Sequence, residues 1–411
     1  MSRRVGVVDL GTSSVKVLIG EGEGSGTIKV IGVGKKTLDC TSSNVTDSPE
    51  EASGALRDAV ERANEMAGTS LSSLYFGIGG ESIHLELRDA TVSIPDSESP
   101  ISKKDVSRAL DLARANSNYG ERIISARPRV FSLDGQDGVS NPVGMYGNRL
   151  DVTVELFTAT SRIVENVKAS ASKAGLTVRG IIPITWARGG FFSQASGPHE
   201  GRVVVDLGYN STETSVYRGE NLVHWGSLPV GGTQITGDLR VRLNVETENA
   251  EKIKRSVGLV EEKAAETNFE YEDFSGESKQ AERAEVQKVI SSRVEETFDM
   301  ALEEIEGTEY MEFTEMGIRL VGGTANMPGL VDFLEDRYAF TFRVGLTSPK
   351  VLGLQDIIQD PIYANAVGLL LKCFGMFTAK GSPDEKDERS PFASIKQILI
   401  NLVRNGLHRE T

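Results

Sequence analysis

One pentapeptide, Val-Val-Asp-Leu-Gly, occurs twice in this chain, at residues 7–11 and again at 204–208. Each copy ends a run of β-branched residues and opens a short polar turn. Thr12-Ser13-Ser14 follows the first copy and Tyr209-Asn210-Ser211-Thr212 the second. A buried strand that delivers one carboxylate and then a Gly/Ser/Thr turn suits a phosphate tail, because backbone N–H groups in such turns form concave anion sites and hydroxyls add donors. Two copies this far apart imply two similar lobes closing on one nucleotide. A third glycine cluster, Val321-Gly322-Gly323-Thr324-Ala325-Asn326, lets the backbone approach a nucleoside closely. A single Asp-Leu-Gly-Thr describes an ordinary hairpin; the repeat together with the third cluster points to a nucleotide.

At 411 residues the chain is too long for one compact core and is expected to form two or more domains. Patterning predicts strands at 5–8, 15–19 and 27–33, a helix at 49–67 and a strand at 74–78. The pattern then changes to a small α+β insertion. It has a strand at 82–94, a helix at 101–115 capped at Ser102 with Asp105 three residues on, and strands at 122–133 and 150–159 around the turn-rich 134–148. A helix at 161–174, closed by Gly175, leads to the second copy. Strands follow from 202, at 214–218 and at 222–228, then helices at 236–243, 246–256 and 282–304. A strand at 318–321, a helix from 328 to about 338 and a core helix at 360–374 complete the folded part. Residues 261–285 carry nine carboxylates against three basic residues, which reads as a solvated surface excursion.

A net charge of −14 argues against nucleic acid as a partner. Two cysteines, Cys40 and Cys373, make no disulfide framework and suit a reducing cytosol; four scattered histidines offer no metal-ligand spacing. The N-terminal apolar stretch contains Asp9 and Lys16 and lacks a signal-peptide core, and no run reaches the ~20 apolar residues that cross a bilayer. The C-terminus is amphipathic. After a polar linker at 379–390, Ser390-Pro391 resembles a helix start. At about 100° per residue, Phe392, Ile395, Ile398, Leu399, Leu402, Val403 and Leu407 share one arc. Lys396 falls within that arc, where its stem can snorkel, and Arg404 lies on the polar side. Residues 391–411 are therefore expected to lie in the plane of a membrane surface.

The most distinctive stretch is Leu133-Asp134-Gly135-Gln136-Asp137-Gly138-Val139-Ser140-Asn141-Pro142-Val143-Gly144-Met145-Tyr146-Gly147-Asn148-Arg149-Leu150. It resembles the "DGQ-G-x-x-P-x-GM-G-x-RL" segment of the FtsA family, within the actin/sugar-kinase/heat-shock-chaperone superfamily. The resemblance runs from about residue 5 to 374, and the terminal helix extends it. It implies an α/β, two-lobed actin-like ATPase fold with an FtsA-type inserted α+β subdomain in the first lobe. The implied division is 1–80, 161–200 and about 345–378 for the first-lobe core, 81–160 for the insertion, 201–232 and 306–344 for the second-lobe core, and 233–305 for an outer subdomain.

The resemblance also implies site residues for ATP and Mg2+. Asp9, Gly11, Thr12, Ser13 and Lys16 match the first phosphate turn; Asp206, Gly208, Ser211 and Thr212 match the second. Gly322, Gly323 and Asn326 match the adenosine loop. Glu251 and Lys254 resemble a pair that contacts the nucleoside, a surface i,i+3 ion pair being the alternative. Asp9 and Asp206 are candidates to hold a hydrated Mg2+ through water. Two departures stand out. Tyr209 and Asn210 replace two glycines of the usual Asp-Ile-Gly-Gly-Gly-Thr-Thr-Asp turn, so a differently shaped turn is expected. Residues 181–186 offer no Glu or Gln to orient an attacking water, so no catalytic residue is assigned and at most slow hydrolysis is expected.

By resemblance, the expected role is a divisome protein on the cytoplasmic face of the cell membrane at the division site. It would self-associate into filaments and bind the FtsZ C-terminal peptide through residues 233–305, where Lys252 and Arg255 supply basic charge, alongside other divisome proteins. The alternatives are a PilM-like component of type IV pilus assembly, which the terminal helix disfavours, and an active ATPase or small-molecule kinase, for which no base is found.

Overall fold

The structure, a computed structural model, describes residues 3–22, 26–38, 48–95, 98–115, 120–192, 201–260 and 268–378. The chain opens with β1 (Arg3–Leu10), β2 (Ser14–Gly22), β3 (Ile28–Thr37), α1 (Pro49–Ala67) and β4 (Ser73–Ile78). The insertion holds β5 (Ile83–Ser93), α2 (Lys103–Arg114), β6 (Glu121–Leu133), β7 (Gln136–Val139) and β8 (Arg149–Thr160). The first lobe resumes with α3 (Ser161–Lys173), β9 (Thr177–Pro183) and α4 (Ile184–Arg188). The second lobe contains β10 (Gly201–Leu207), β11 (Thr212–Arg218), β12 (Asn221–Leu228), α5 (Gly232–Leu243), α6 (Thr247–Val257), β13 (Asn268–Glu272), β14 (Ser278–Glu282), α7 (Arg283–Glu303), β15 (Ile318–Val321), α8 (Leu330–Arg337) and β16 (Phe342–Val344). The chain then returns through β17 (Val351–Leu352), α9 (Gln355–Ile358) and α10 (Ala364–Thr378).

The repeat seen in five residues extends to whole sheets. The first lobe has the strand order β17-β3-β2-β1-β4-β9, the second β12-β11-β10-β15-β16. In each, the strand bearing the pentapeptide pairs antiparallel with the next strand and parallel with the one beyond a helix. Val7, Val8 and Val203, Val204, Val205 are fully buried, as central strands covered on both faces require. The small-residue stripe of α1 (Ala52, Ala55, Ala59, Ala63) lets it lie directly on β3. A Cβ at Gly34 would come within 1.8 Å of the Ala59 carbonyl oxygen, so only glycine fits there. The core of the first lobe continues into the second through Val204, Tyr217, Leu222 and Val321.

The insertion is a four-stranded sheet, β5-β8-β6-β7, covered by α2, with a core of its own built around Val106, Leu110, Phe131 and Leu150. The capping box at Ser102 and Asp105 is present. Residues 134–150 turn out to be turn chemistry. Asp134 and Gly135 take positive φ, 50° and 84°, as a tight hairpin turn demands, and the Asp134 carboxylate accepts from the N–H groups of Asn148 and Arg149.

The structure adds elements to these expectations and alters one. Residues 177–192, given no element from sequence, form β9, α4 and a 3-10 turn at Gly189–Phe192. The described part of the acidic excursion, read as solvated surface, is a largely exposed β13–β14 hairpin. The helix expected at 360–374 starts instead with a 3-10 turn, Pro361–Tyr363, capped by Asp360, before α10. The short edge strands β16 and β17 carried no legible signal. The linker at 379–390 and the terminal helix, with Phe392, Ile395, Lys396, Ile398, Leu399, Leu402, Val403 and Arg404, lie outside the described residues. Among the described residues, no helix is long and apolar enough to cross a membrane.

Candidate functional site

The carboxyl ends of β1, β4, β9, β10 and β15 converge between the lobes, the place where α/β sheets bind ligands. At the first turn, the Gly11 N–H donates to the Ser14 carbonyl at 3.2 Å; at the second, Gly208 N–H donates to the Ser211 carbonyl at 2.9 Å. The two copies thus close by the same bond. With Tyr209 and Asn210 in it, the second turn still closes by the same bond as the first. Neither has a positive φ, so the left-handed conformation that would have penalised them is never needed. Ser13 receives the Leu38 N–H on its carbonyl, and the Thr212 hydroxyl donates to Val230 O at 2.7 Å, facing the chain that enters α5.

Charge separates the copies. Asp9 lies opposite Lys16 in the β1–β2 register, and Lys16 Nζ reaches Asp9 Oδ2 at 3.0 Å. In the β10–β11 register Asp206 lies opposite Glu213, a second acid, and both are buried. The neutralising cation is Arg188, at the end of α4 in the first lobe and fully buried. Its Nη1 donates to Asp206 Oδ2 at 2.8 Å and its Nη2 to Glu213 Oε2 at 2.5 Å and Thr185 Oγ1 at 3.3 Å. Asn365 Nδ2 also donates to Asp206 Oδ2, at 3.0 Å. Glu213 accepts in addition from Thr185 Oγ1 at 2.9 Å and from the Gly80 N–H. Burial pushes the Asp206 carboxyl above the usual carboxylate range, with Arg188 pulling against it. Burial pulls the Arg188 guanidinium down, but Tyr217, Glu213 and Asp206 around it more than offset this and hold it above its ordinary value.

Lys254, expected by resemblance to contact the nucleoside, is 5% exposed, so its pair with Glu251 is not a surface one. Its ammonium donates to Gly232 O at 3.0 Å, Thr236 Oγ1 at 2.9 Å and Glu251 Oε2 at 2.6 Å, pinning the start of α5 to α6. Burial pulls its pKa down while Glu251 pulls it up. Gly322 must be glycine: φ is +90° and a Cβ would sit 2.4 Å from Asp206 Oδ1. Gly323 borders open space, and the Thr324 hydroxyl ties this loop to Gly208 O at 3.0 Å. Asn326 is turned toward Asp360, whose Oδ1 accepts from Nδ2 at 2.8 Å, so it braces the loop before α10.

Several residues here escaped the sequence reading. Glu213 occupies the eighth position of the second turn, where the usual pattern has Asp, and that position is the signal that would have found it. Arg188 is a lone charge in the apolar run 181–192, a hint of a buried ion whose partner only the fold supplies. Asn365 and Thr185 carry no such signal. Lys35 is the register partner of Lys16 on β3, and burial, then Lys16 itself, pull its pKa down.

Paired sheets of one topology, three glycine-bearing turns at their facing strand ends and an inserted α+β unit define an actin-like protein. Comparison with known proteins narrows this. The family model described as cell division protein FtsA matches residues 203–368, and that described as SHS2 domain inserted in FTSA matches residues 80–158. The cell division protein FtsA of Neisseria meningitidis is 31% identical over 377 residues, covering 90% of this chain and 89% of the relative. Those of Pseudomonas aeruginosa and Bacillus subtilis are 28% and 29% identical and cover 97% and 96% of this chain (97% and 88% of the relatives). The chain belongs to the FtsA family of actin-like cell-division proteins. Among solved structures it is similar to a chain of the PilM-PilN type IV pilus biogenesis complex, with a TM-score of 0.64 at 16% identity, covering 90% of this chain and 98% of that one. It is also similar to MreB5 of Spiroplasma citri bound to ADP, with a TM-score of 0.54 at 14% identity, covering 92% and 99%. At such identities these two likenesses show the fold alone.

Proposed function

We propose that this chain holds ATP between its lobes, self-associates into filaments on the cytoplasmic face of the cell membrane at the division site, and tethers FtsZ there alongside other divisome proteins. The observation that carries the nucleotide part is the duplicated turn, closed by the same N–H···O bond in both lobes, with Lys16 beside one copy and Gly322-Gly323 beside the other. Hydrolysis is weak or absent in this reading. Ile182, before Pro183, is buried and apolar, and Glu213 accepts from three donors, so neither serves as a general base.

The carboxylates do not fit a directly held metal. Asp9 Oδ2 is taken by Lys16, Asp206 Oδ2 by Arg188 and Asn365, and the described residues contain no cluster of three or more His, Cys, Asp or Glu that could hold an ion. Mg2+ is proposed only as an ion carried on the ATP phosphates, with Asp9 and Asp206 reached through water.

The proposed division of labour follows the expected boundaries. Residues 233–305 bind the FtsZ C-terminal peptide, and 391–411 bind the membrane after the linker at 379–390. Lys252 and Arg255 are paired with Glu248 and Glu251. A groove of roughly 450 Å3 between α5 and α7 lies in the same subdomain, lined by Lys288, by Arg242 paired with Glu285, and by Arg293 paired with Asp238 and Glu296. The decisive experiment is binding of an FtsZ C-terminal peptide to the purified chain; its failure removes the tethering role. Liposome co-sedimentation that survives deletion of residues 391–411 would equally remove the proposed anchor.

A further inference from the structure

We propose that Arg188 is the resident counter-cation of the second phosphate turn, so that nucleotide binding by this chain depends little on divalent metal. The inference rests on the ATP-binding reading and concerns how that site is neutralised.

The argument starts from the strand register. Asp9 and Asp206 occupy equivalent places in two copies of one hairpin, and the residue directly opposite each is Lys16 in the first and Glu213 in the second. Residues directly opposite in an antiparallel pair have Cα atoms only about 4.5–5.5 Å apart. Two buried carboxylates at that spacing repel and need a cation between them. A divalent ion is the solution such a pair invites. This chain fills the place with protein instead. The guanidinium of Arg188 puts one Nη on each carboxylate, 2.8 Å from Asp206 Oδ2 and 2.5 Å from Glu213 Oε2, and is fully buried. Its planar fork suits two acceptors at once, and it keeps its charge at any accessible pH.

A second observation points the same way. Arg188 Nε, on the guanidinium that donates to Asp206 Oδ2, is buried with no hydrogen-bond partner. An unsatisfied N–H beside this carboxylate asks for a further oxygen, from water or phosphate, and would repel a cation. A metal bound by Asp206 and Glu213 would have to displace a guanidinium with no solvent to move into. The cation also comes from the other lobe: Arg188 ends α4, whereas Asp206 and Glu213 lie on β10 and β11. It therefore ties the lobes together at the turn it neutralises.

The test is calorimetric titration of ATP into the full chain, in millimolar Mg2+ and again in excess EDTA. The inference expects dissociation constants within about threefold of each other, with Arg188→Gln becoming metal-dependent by about tenfold or more. Binding in Mg2+ that weakens more than about tenfold in EDTA overturns the inference while leaving the ATP reading intact. No binding in either buffer overturns both. Metal-independent binding that persists in a folded Arg188→Gln chain removes Arg188 from the role. If that variant does not fold, Mn2+ titration of the nucleotide-free natural chain, followed by electron paramagnetic resonance, decides. Saturable Mn2+ binding abolished by Asp206→Asn overturns the inference, and absence of saturable binding supports it.

Discussion

Lys16 and Glu213 hold the same place in two copies of one hairpin and carry opposite charge, so one lobe neutralises its carboxylate within the hairpin and the other borrows Arg188. Each arrangement makes a separate prediction. Lys16→Ala leaves Asp9 buried without its cation and removes the charge proposed to face the phosphates. ATP affinity should fall about tenfold, ~1.4 kcal/mol, in a fluorescent-nucleotide titration. Glu251 shows the pH side. Burial pushes its carboxyl up, but Lys254, Thr236 and Arg255 outweigh that and hold it below the usual range. A folded-state value below the unfolded one gives stability that is present above about pH 4.3 and lost as pH falls through the folded value. Glu251→Gln should therefore lower the melting temperature at neutral pH and flatten its decline below about pH 4.3, read by thermal scans across pH. The turn residues were legible because they rest on local spacing, whereas Glu251 and Lys254 were singled out by family resemblance. Arg188, Thr185 and Asn365 were not, because their partners are distant in sequence and adjacent only once the lobes are built.

At the level of elements, the strands and long helices were read well where burial imposes a period. β1 and β10 are continuous β-branched runs, and α1 carries a clean stripe of small residues. The misses share a cause. β9 and α4 lie in an apolar run whose period fits neither template, and in the largely exposed β13–β14 hairpin the apolar alternation is only Phe269 and Tyr271 long, a signal too short to read although both residues, with Ala281, pack against the second-lobe core. Contact between elements also sets which glycines tolerate change. Gly34→Ala would drive a Cβ into the Ala59 carbonyl and lift α1 off β3, at a cost of about 2–3 kcal/mol in urea unfolding. Gly54→Ala, on α1 with open space around it, should instead stabilise by about 0.5–1 kcal/mol. Equal effects of the two substitutions would contradict the close packing of α1 on β3.

For the molecule as a whole, the two lobes share a stretch of core, the Arg188 ion pairs and a Lys372–Glu220 pair, and nucleotide is proposed to complete the contact between their turns. Ligand that binds only the folded, clasped form stabilises it by mass action. ATP at one hundred times its dissociation constant should raise unfolding free energy by about 2.7 kcal/mol, seen as an upward shift of the urea midpoint that Lys16→Ala diminishes. By itself the sequence determined the duplicated turn, the strand and helix order around it, the inserted unit and the family. All of these are written in residues close along the chain, where period, caps and turn chemistry act locally. The tertiary structure alone decided how the turns are neutralised. It set Glu213 beside Asp206 through strand register, brought Arg188 from the opposite lobe between them, and buried Lys254 under the start of α5. Coulomb attraction in a dry interior acts across space regardless of distance along the chain, so a charge's partner is fixed only when folding has placed it.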